Sequence, residues 1–356
     1  MESVLLSPDG PFSEIPRSDT LFGAICWGIR DVRGTECLED VLAQFQADRP
    51  PFRISSAFPL LDRDDREYLL ATPRLPMLSA GVGEMTDERL EALDVWQQIE
   101  YVPASVFSMI AAGTVSDSEL LAGFDENGTI TVGGRQYVHD RRFLLPAESD
   151  RKPIWRTERT RNAVNRLTMA TDSSLYHRDA VFFSDVAGLH VCVEGDIDLV
   201  LDGLSVAQDR GIGGDRSVGH GQFRLDGVRS FDLPQPDGDF FCTLSLCIPH
   251  PEELEPFLTN GYYEIEPRKG VIENSLASPD TIWKKRVLAL SEGSILPRQT
   301  AVDRRFEKTD GEHREEPYGY NPIVADHFEH GVQQYGYSLP VGITPQTASP
   351  SAGETK

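Results

Sequence analysis

Residues 209–223 read DRGIGGDRSVGHGQF, with five glycines (Gly211, Gly213, Gly214, Gly219 and Gly221) inside eleven residues. Glycine at this density costs conformational entropy on folding, so it marks a backbone path that other residues resist. Apolar residues at Ile197, Val200, Leu201, Leu204 and Ala207 predict a helix over Asp196–Gln208 just before it. A strand pattern follows over Gln222–Val228. This context excludes two familiar phosphate loops. The GxxxxGK[ST] type needs a lysine, and the stretch has none. The dinucleotide fingerprint opens a helix after a strand, the reverse of the order here, and Arg216 stands where its third glycine would be. What remains is a helix–loop–strand connection whose N–H groups can cup an anion, with Arg210, Arg216 and Ser217 as side-chain donors.

Charge bears on which anion. The 356 residues include 57 acidic and 34 basic side chains, a net charge of −23. Taken alone, this argues against a nucleic-acid binder, because phosphate contacts need cations. Only six cations are lysines (Lys152, Lys269, Lys284, Lys285, Lys308 and Lys356). An acidic, lysine-poor surface that keeps its arginines suits work at molar salt, where the Debye length is about 3 Å and self-repulsion is screened. One segment breaks the trend. Residues 151–178 hold Arg151, Lys152, Arg156, Arg159, Arg161, Arg166 and Arg178 against only Glu158 and Asp172. Arginine's planar fork fits phosphates, and Trp155 and Tyr176 offer stacking faces. Single-stranded RNA is commonly read by that combination. A solvated basic face paired with the protein's own acids is the other reading of such a run.

Other chemistry finds little support. Five cysteines (Cys26, Cys37, Cys192, Cys242 and Cys247) form no CxxC pair and read as small buried hydrophobes. His327 and His330 stand three apart on a possible helix, but no third ligand completes a zinc site. His177, beside the arginines, and His220, in the glycine loop, are the candidates for metal-independent acid–base work on RNA, each without a visible partner. No cofactor is expected. No apolar run is long enough to cross a membrane and no signal peptide is evident, so a cytoplasmic location is expected.

The predicted elements include a strand at Val4–Ser7, a helix with Ser18 or Asp19 as N-cap running to Gly34, and helices over Glu36–Phe45 and Asp87–Gln98. A hairpin is expected within Gly123–Val138, and strands over Phe182–Val193 and Phe240–Ile248. A helix is expected from Pro251, an extended stretch over Tyr262–Ile272 and a last strand at Leu339–Ile343. The Pro- and Gly-punctuated stretch from 234 marks a boundary between units 1–233 and 234–345, with a disordered tail at 346–356. Two ferredoxin-like (RRM-like) βαββαβ units fit this α+β pattern, although periodicity does not separate them from other α+β folds.

Several stretches together resemble a known family. SDTLFGAICWGIRDVRG and PPFRISSAFPLL resemble the N-terminal part of the fourth subunit of the type III-A CRISPR interference (Csm) complex. RTRNAVNRLTMATDSSLYHRDAVFF is similar to the family's central segment, and VLALSEGSIL and YGYSLPVGI to its C-terminal strands. GIGGDRSVGHGQF resembles the glycine-rich signature of the wider RAMP superfamily. The resemblance implies two ferredoxin-like domains with an inserted thumb-like hairpin at about 135–175 and the glycine-rich loop at 209–223. It implies a generally non-catalytic subunit that caps the 5′ repeat-derived tag of crRNA and docks on a Cas10-type large subunit and a Csm-type backbone RAMP subunit. A RAMP endoribonuclease that processes CRISPR repeat RNA is the alternative. Carried onto this sequence, the RNA contacts would be Arg17, Ser18, Asp19 and Thr20 at a helix N-terminus, and Arg159, Arg161, Asn162, Asn165 and Arg166 centrally. Arg210, Gly211, Ile212, Gly213, Gly214, Arg216, Ser217, Gly219, His220 and Gly221 would form the loop. TMATDSSLYHR departs from relatives, which often show a glycine after a glutamate there.

The charge pattern sets a first expectation. The melting temperature should rise as sodium chloride goes from dilute buffer to molar concentration, and a maximum in dilute buffer would contradict it.

Overall fold

The computed structural model describes residues 1–61, 66–76, 86–125, 129–140, 142–148, 153–164, 171–236, 238–272, 283–298, 317–325 and 331–344. The first half contains β1 (Glu2–Pro8), α1 (Ser18–Arg33), α2 (Thr35–Gln46), β2 (Phe52–Ile54), β3 (Phe58–Leu61) and β4 (Glu67–Ala71). It continues through α3 (Asp87–Gln98), β5 (Tyr101–Pro103), α4 (Ala104–Ala111), α5 (Asp117–Ala122), β6 (Thr129–Val132), β7 (Arg135–Asp140) and β8 (Phe143–Pro146). Then come β9 (Ile154–Val164), β10 (Thr171–Phe183), β11 (Ala187–Gly195), α6 (Ile197–Arg210) and β12 (Phe223–Ser230). The remainder holds β13 (Phe240–Thr243), α7 (Pro251–Asn260), β14 (Ile265–Arg268), β15 (Val287–Leu290), β16 (Ile295–Pro297), β17 (Ile323–Ala325), β18 (Val332–Gln333) and β19 (Pro340–Ile343). The chain is thus α+β, as its sequence pattern predicts.

A large mixed sheet runs β12-β1-β11-β3-β4-β5-β8-β7-β6, with β2 also on β11. Every pairing in it is antiparallel except β5 with β8. Alternation sets its two faces. Val4 and Leu6 on β1, with Leu189, Val191 and Val193 on β11, meet the apolar stripes of α1 (Leu21, Phe22, Ile25 and Ile29) and α6 (Leu199, Val200 and Leu204). The two helices approach closely at a pair of glycines. A Cβ on Gly203 would lie 2.7 Å from the Ile25 Cα, and one on Gly28 would lie 2.2 Å from the Gly203 carbonyl oxygen. Cys192, on the other face of β11, joins a second core with Phe58, Leu70 and Val102.

Residues on both sides of position 234 share these cores. Tyr335 and Tyr337 enter the first, where Phe22, Phe45 and Phe52 pack edge-on or tilted around them. The Tyr337 hydroxyl donates to the Phe45 carbonyl at 2.6 Å, and the Tyr335 hydroxyl accepts from the Ile54 amide at 2.9 Å. Cys242, Leu244, Leu339 and Val341 enter the second core. The punctuation at 234 marks a change of layer, and the apolar contacts run across it.

Other differences have local causes. Residue Arg17 is the N-cap of α1 and lends no side-chain bond, because Ser18 is already helical and points into the joint described below. The strand expected over Phe240–Ile248 stops at Thr243, where its hydroxyl turns back on Ser245. The central excursion is an antiparallel ribbon of β9 and β10, while β7 and β8 (135–146) extend the main sheet instead. The expected 135–175 span therefore overlaps the ribbon only in part. The hairpin turn between β6 and β7 is Gly133-Gly134, and Asn127-Gly128 lies outside the described residues. So do the 346–356 tail and the His327 and His330 pair. No described helix is long and apolar enough to cross a membrane.

Filling the glycine contact tests this packing. Gly203→Leu should destabilise the protein by about 1–3 kcal/mol or more through overpacking, read as a lower urea midpoint.

Candidate nucleic-acid interface

The glycine loop is pinned at its neck and open at its rim. Ile212 is buried and its amide bonds to the Gly221 carbonyl at 2.9 Å. Gly221 has φ +74, and a Cβ there would fall 2.0 Å from the Ile212 carbonyl oxygen, so the two arms touch. At the rim, Gly213 and Gly219 have φ of +86 and +87 with open space around them. Between them lie Asp215, also left-handed at φ 58, and a single 3₁₀ turn over Arg216–Val218. Burial lowers the Arg216 pKa, and nearby Arg210 lowers it further. An anion beside these two guanidiniums would relieve that repulsion. Arg210 already makes a close ion pair with Asp31.

Residues 9–13, leading from β1 toward α1, tie this loop to the ribbon. Pro11 accepts from the Gly221 amide at 2.9 Å, and the Ser13 hydroxyl donates to the Gly214 carbonyl at 2.8 Å. The Asp9 amide donates to Gln222 at 2.9 Å. Phe12 exchanges two backbone bonds with Val181 of β10, and its ring meets Phe183 edge-on at 5.5 Å.

The ribbon sorts its side chains by alternation. Trp155 pairs with Phe182, and Arg159 with Arg178, so these four share one face. Trp155 and Phe182 stack at 5.9 Å with 14° between planes, and the Arg159 guanidinium lies 4.7 Å above the Phe182 ring. Directly opposed like charges destabilise a strand pair. Among the described residues neither Arg159 nor Arg178 makes an ion pair, so this face is both cationic and aromatic. The opposite face carries Glu158 and His177, whose Nδ1 stands 3.2 Å from the Thr160 hydroxyl and 3.6 Å from the Glu158 carboxylate.

The start of α1 is occupied by the protein itself. The Ser18 amide donates to the Ser56 hydroxyl at 2.9 Å, and the Ser18 hydroxyl accepts from the Leu246 amide at 3.1 Å. The Asp19 carboxylate takes both arms of Arg268 at 2.9 and 3.0 Å and one bond from Gln334 at 2.7 Å. Arg17 bridges Glu266 and Glu292 at 3.1 and 3.2 Å. Burial works against the Arg17 cation, but Glu292 and Glu266 outweigh it and hold its pKa above the ordinary value. Beside this joint a cleft of about 640 Å³ is walled by paired charges, Arg142 with Glu100 and Arg74 with Glu264, and bordered by Arg156 of the ribbon.

Comparison with known proteins finds relatives along nearly the whole chain. Residues 236–304 match the CRISPR Csm4 C-terminal domain. Over 351 residues the chain is 25 % identical to the CRISPR system Cms protein Csm4 of Thermococcus onnurineus, covering 96 % of each. It is 22 % identical over 283 residues to the Csm4 of Mycobacterium tuberculosis, 79 % of this chain and 80 % of that one. The chain is similar to Csm4 proteins over most of its length. Its fold matches a chain of the crystallised Csm3–Csm4 subcomplex of the type III-A interference complex, with a TM-score of 0.61 at 15 % identity over 97 % of this chain and 100 % of that one. A chain of the Csm1–Csm4 cassette in complex with pppApA matches with a TM-score of 0.56 at 20 % identity, over 96 % and 97 % of the two chains.

Within this Csm4-type fold, the candidate contacts divide into groups. Arg210 to Gly221 and the root of the ribbon come together through residues 9–13. Ile212 and His220 are buried beneath the loop's surface, at 2 % exposure each, which removes them from direct contact with a ligand on the rim. Arg17, Ser18 and Asp19 lie in the internal joint, and Thr20 donates its amide to Asp19 at 2.8 Å. The exposed helix N-terminus expected there is therefore filled by the protein's own groups. Arg161 and Asn162 are placed on β9 opposite Tyr176 and Leu175, while Asn165 and Arg166 fall outside the described residues. Two contributors escaped the sequence reading of the site: Arg178 as the cross-strand partner of Arg159, and the 9–13 segment. The period-two spacing of Phe182, Ala180 and Arg178 carries the first, whereas PDGPF signals only a turn.

The neck provides a test. Gly221→Ala must move the Ile212 carbonyl and adopt a costly φ, so it should lower the melting temperature by several degrees. Gly213→Ala at the open rim should cost less, and equal losses would contradict the pinned-neck geometry.

Proposed function

We propose that this Csm4-like chain is the RNA-holding, non-catalytic subunit of a type III-A CRISPR interference complex. In this reading it grips the 5′ repeat-derived tag of crRNA and bridges a Csm1-type (Cas10-type) large subunit to Csm3-type backbone subunits. The observation that carries it is the Arg159–Arg178 pair beside stacked Trp155 and Phe182, cations with no ion pair among the described residues, on a ribbon tied to the glycine loop through residues 9–13. Phosphates satisfy the arginines, rings accept bases, and the loop rim offers amides and the Arg216 guanidinium. The solved relatives support the partners, since Csm4 occurs there with Csm1 and with Csm3.

The same reading makes the β9–β10 ribbon the thumb. It takes β1, α1, β3, β11, α6 and β12, with strand order β12-β1-β11-β3, as a ferredoxin-like unit. The residues after 234 form its counterpart. The non-catalytic role is supported by the burial of His220 and by the exposed position of His177, whose polar contacts among the described residues are Thr160 and Glu158. A ribonuclease would need a second group placed across a phosphate from His177.

Binding measured against salt tests this. For tag RNA, Arg159→Ala with Arg178→Ala should lower affinity at least tenfold and flatten the slope of log K against log salt by about 1.4, two phosphate contacts' worth. Unchanged affinity and slope would remove the ribbon from the interface. Metal-free cleavage of repeat RNA, lost in His177→Ala, would replace the non-catalytic reading.

A further inference from the structure

The β14–β15 ribbon is amphipathic in the wrong sense for a free surface. On one side Glu266 and Arg268 face the joint, where they meet Arg17 and Asp19, and their neighbour Ala289 is buried. On the other side Ile265 and Leu288 are exposed, at 48 % and 59 %, with Pro267 opposite Leu288. The ribbon continues to a bridge between Val271 and Trp283, exposed at 48 % and 56 %. Glu266 and Arg268 thus face the protein while Ile265 and Leu288 face water, and only Leu290, opposite Ile265, is drawn into a core from that side. A contiguous apolar stripe left outside a soluble fold marks a surface that another molecule covers.

Charge describes that molecule. The Lys269 ammonium lies 4.9 Å over the Trp283 ring, and Arg286 is exposed with no ion pair among the described residues. These cations border the stripe in a chain whose net charge is −23 and which has only six lysines. Lys284 turns away, bonding Gln334 at 3.3 Å. We propose that this face docks a different protein chain through an apolar patch rimmed by acidic side chains. Trp283 offers a single ring, already covered on one side by the Lys269 ammonium, and aliphatic Ile265, Val271 and Leu288 offer bases none, which disfavours RNA. A two-fold contact between copies would set Lys269 and Arg286 against their own kind, which disfavours a homodimer. The proposal rests on the reading of this chain as a subunit of a multi-protein complex, and places one of its protein contacts.

The test uses the full tagged chain co-expressed with the large and backbone subunits of its own complex. Ile265→Glu with Leu288→Glu should reduce capture of one of those subunits at least tenfold, while an unchanged melting temperature shows that the fold is intact. Lys269→Glu with Arg286→Glu, which leaves the apolar stripe in place, should weaken the same capture and reduce its sensitivity to salt. Full capture of both subunits by both variants would overturn the docking face. A loss confined to bound RNA would make the occupant RNA, and a shift from dimer to monomer in the chain alone would make it a second copy; either overturns the proposal. If the unaltered chain captures neither subunit, the subunit reading itself fails, a result distinct from these.

Discussion

The structure turns on the end of one helix. The first turn of α1 would ordinarily leave amides seeking acceptors in water or on a ligand. Here Ser56 and Asp19 accept from Ser18 and Thr20, and Asp19 in turn holds Arg268 with its side chain only 7 % exposed. Removing one partner of such a pair would strand a buried charge, which costs far more than the pair itself contributes. The alignment of α1, the β14–β15 ribbon and the cleft beside them follows from this knot of groups. So does the inverted polarity of that ribbon, whose charged side is committed to the knot.

The knot also shows where sequence can and cannot be read. The stripe at Leu21, Ile25 and Ile29 identifies α1, and the helix–loop–strand setting of the glycine loop is visible in the spacing of Ile197, Val200 and Leu204 and in the strand pattern from Phe223. These patterns are local and depend on which face must be buried. The use of Ser18 and Asp19 depends on Leu246, Arg268 and Gln334, more than two hundred residues away, and nothing near Ser18 announces them. The cation–aromatic face of β9 and β10 is an intermediate case. Its residues alternate legibly within each strand, but only the register reveals that Arg159 opposes Arg178. The Pro and Gly punctuation at 234 suggests a division between units, whereas side chains from both sides fill the same cores.

A chain with net charge −23 that sets Arg159 against Arg178 on one ribbon separates two electrostatic tasks. The acidic remainder keeps the molecule hydrated and repels polyanions from most of its surface. The ribbon and the loop rim create a short-range positive site whose reach shrinks with the Debye length. At high salt such a site works mainly through contact, so aromatic stacking and well-placed amides matter more than long-range attraction.

The two tyrosines near residue 336 have a further consequence, in the order in which the chain is made. Tyr337 bonds to Phe45 across 292 residues of sequence, and Tyr335 fills the space among Phe22, Phe45 and Phe52. During synthesis those three phenylalanines leave the ribosome long before their lid does. The first core therefore stays open until residues 335–337 emerge. For this fold, the first core begun is sealed by residues made almost three hundred positions later.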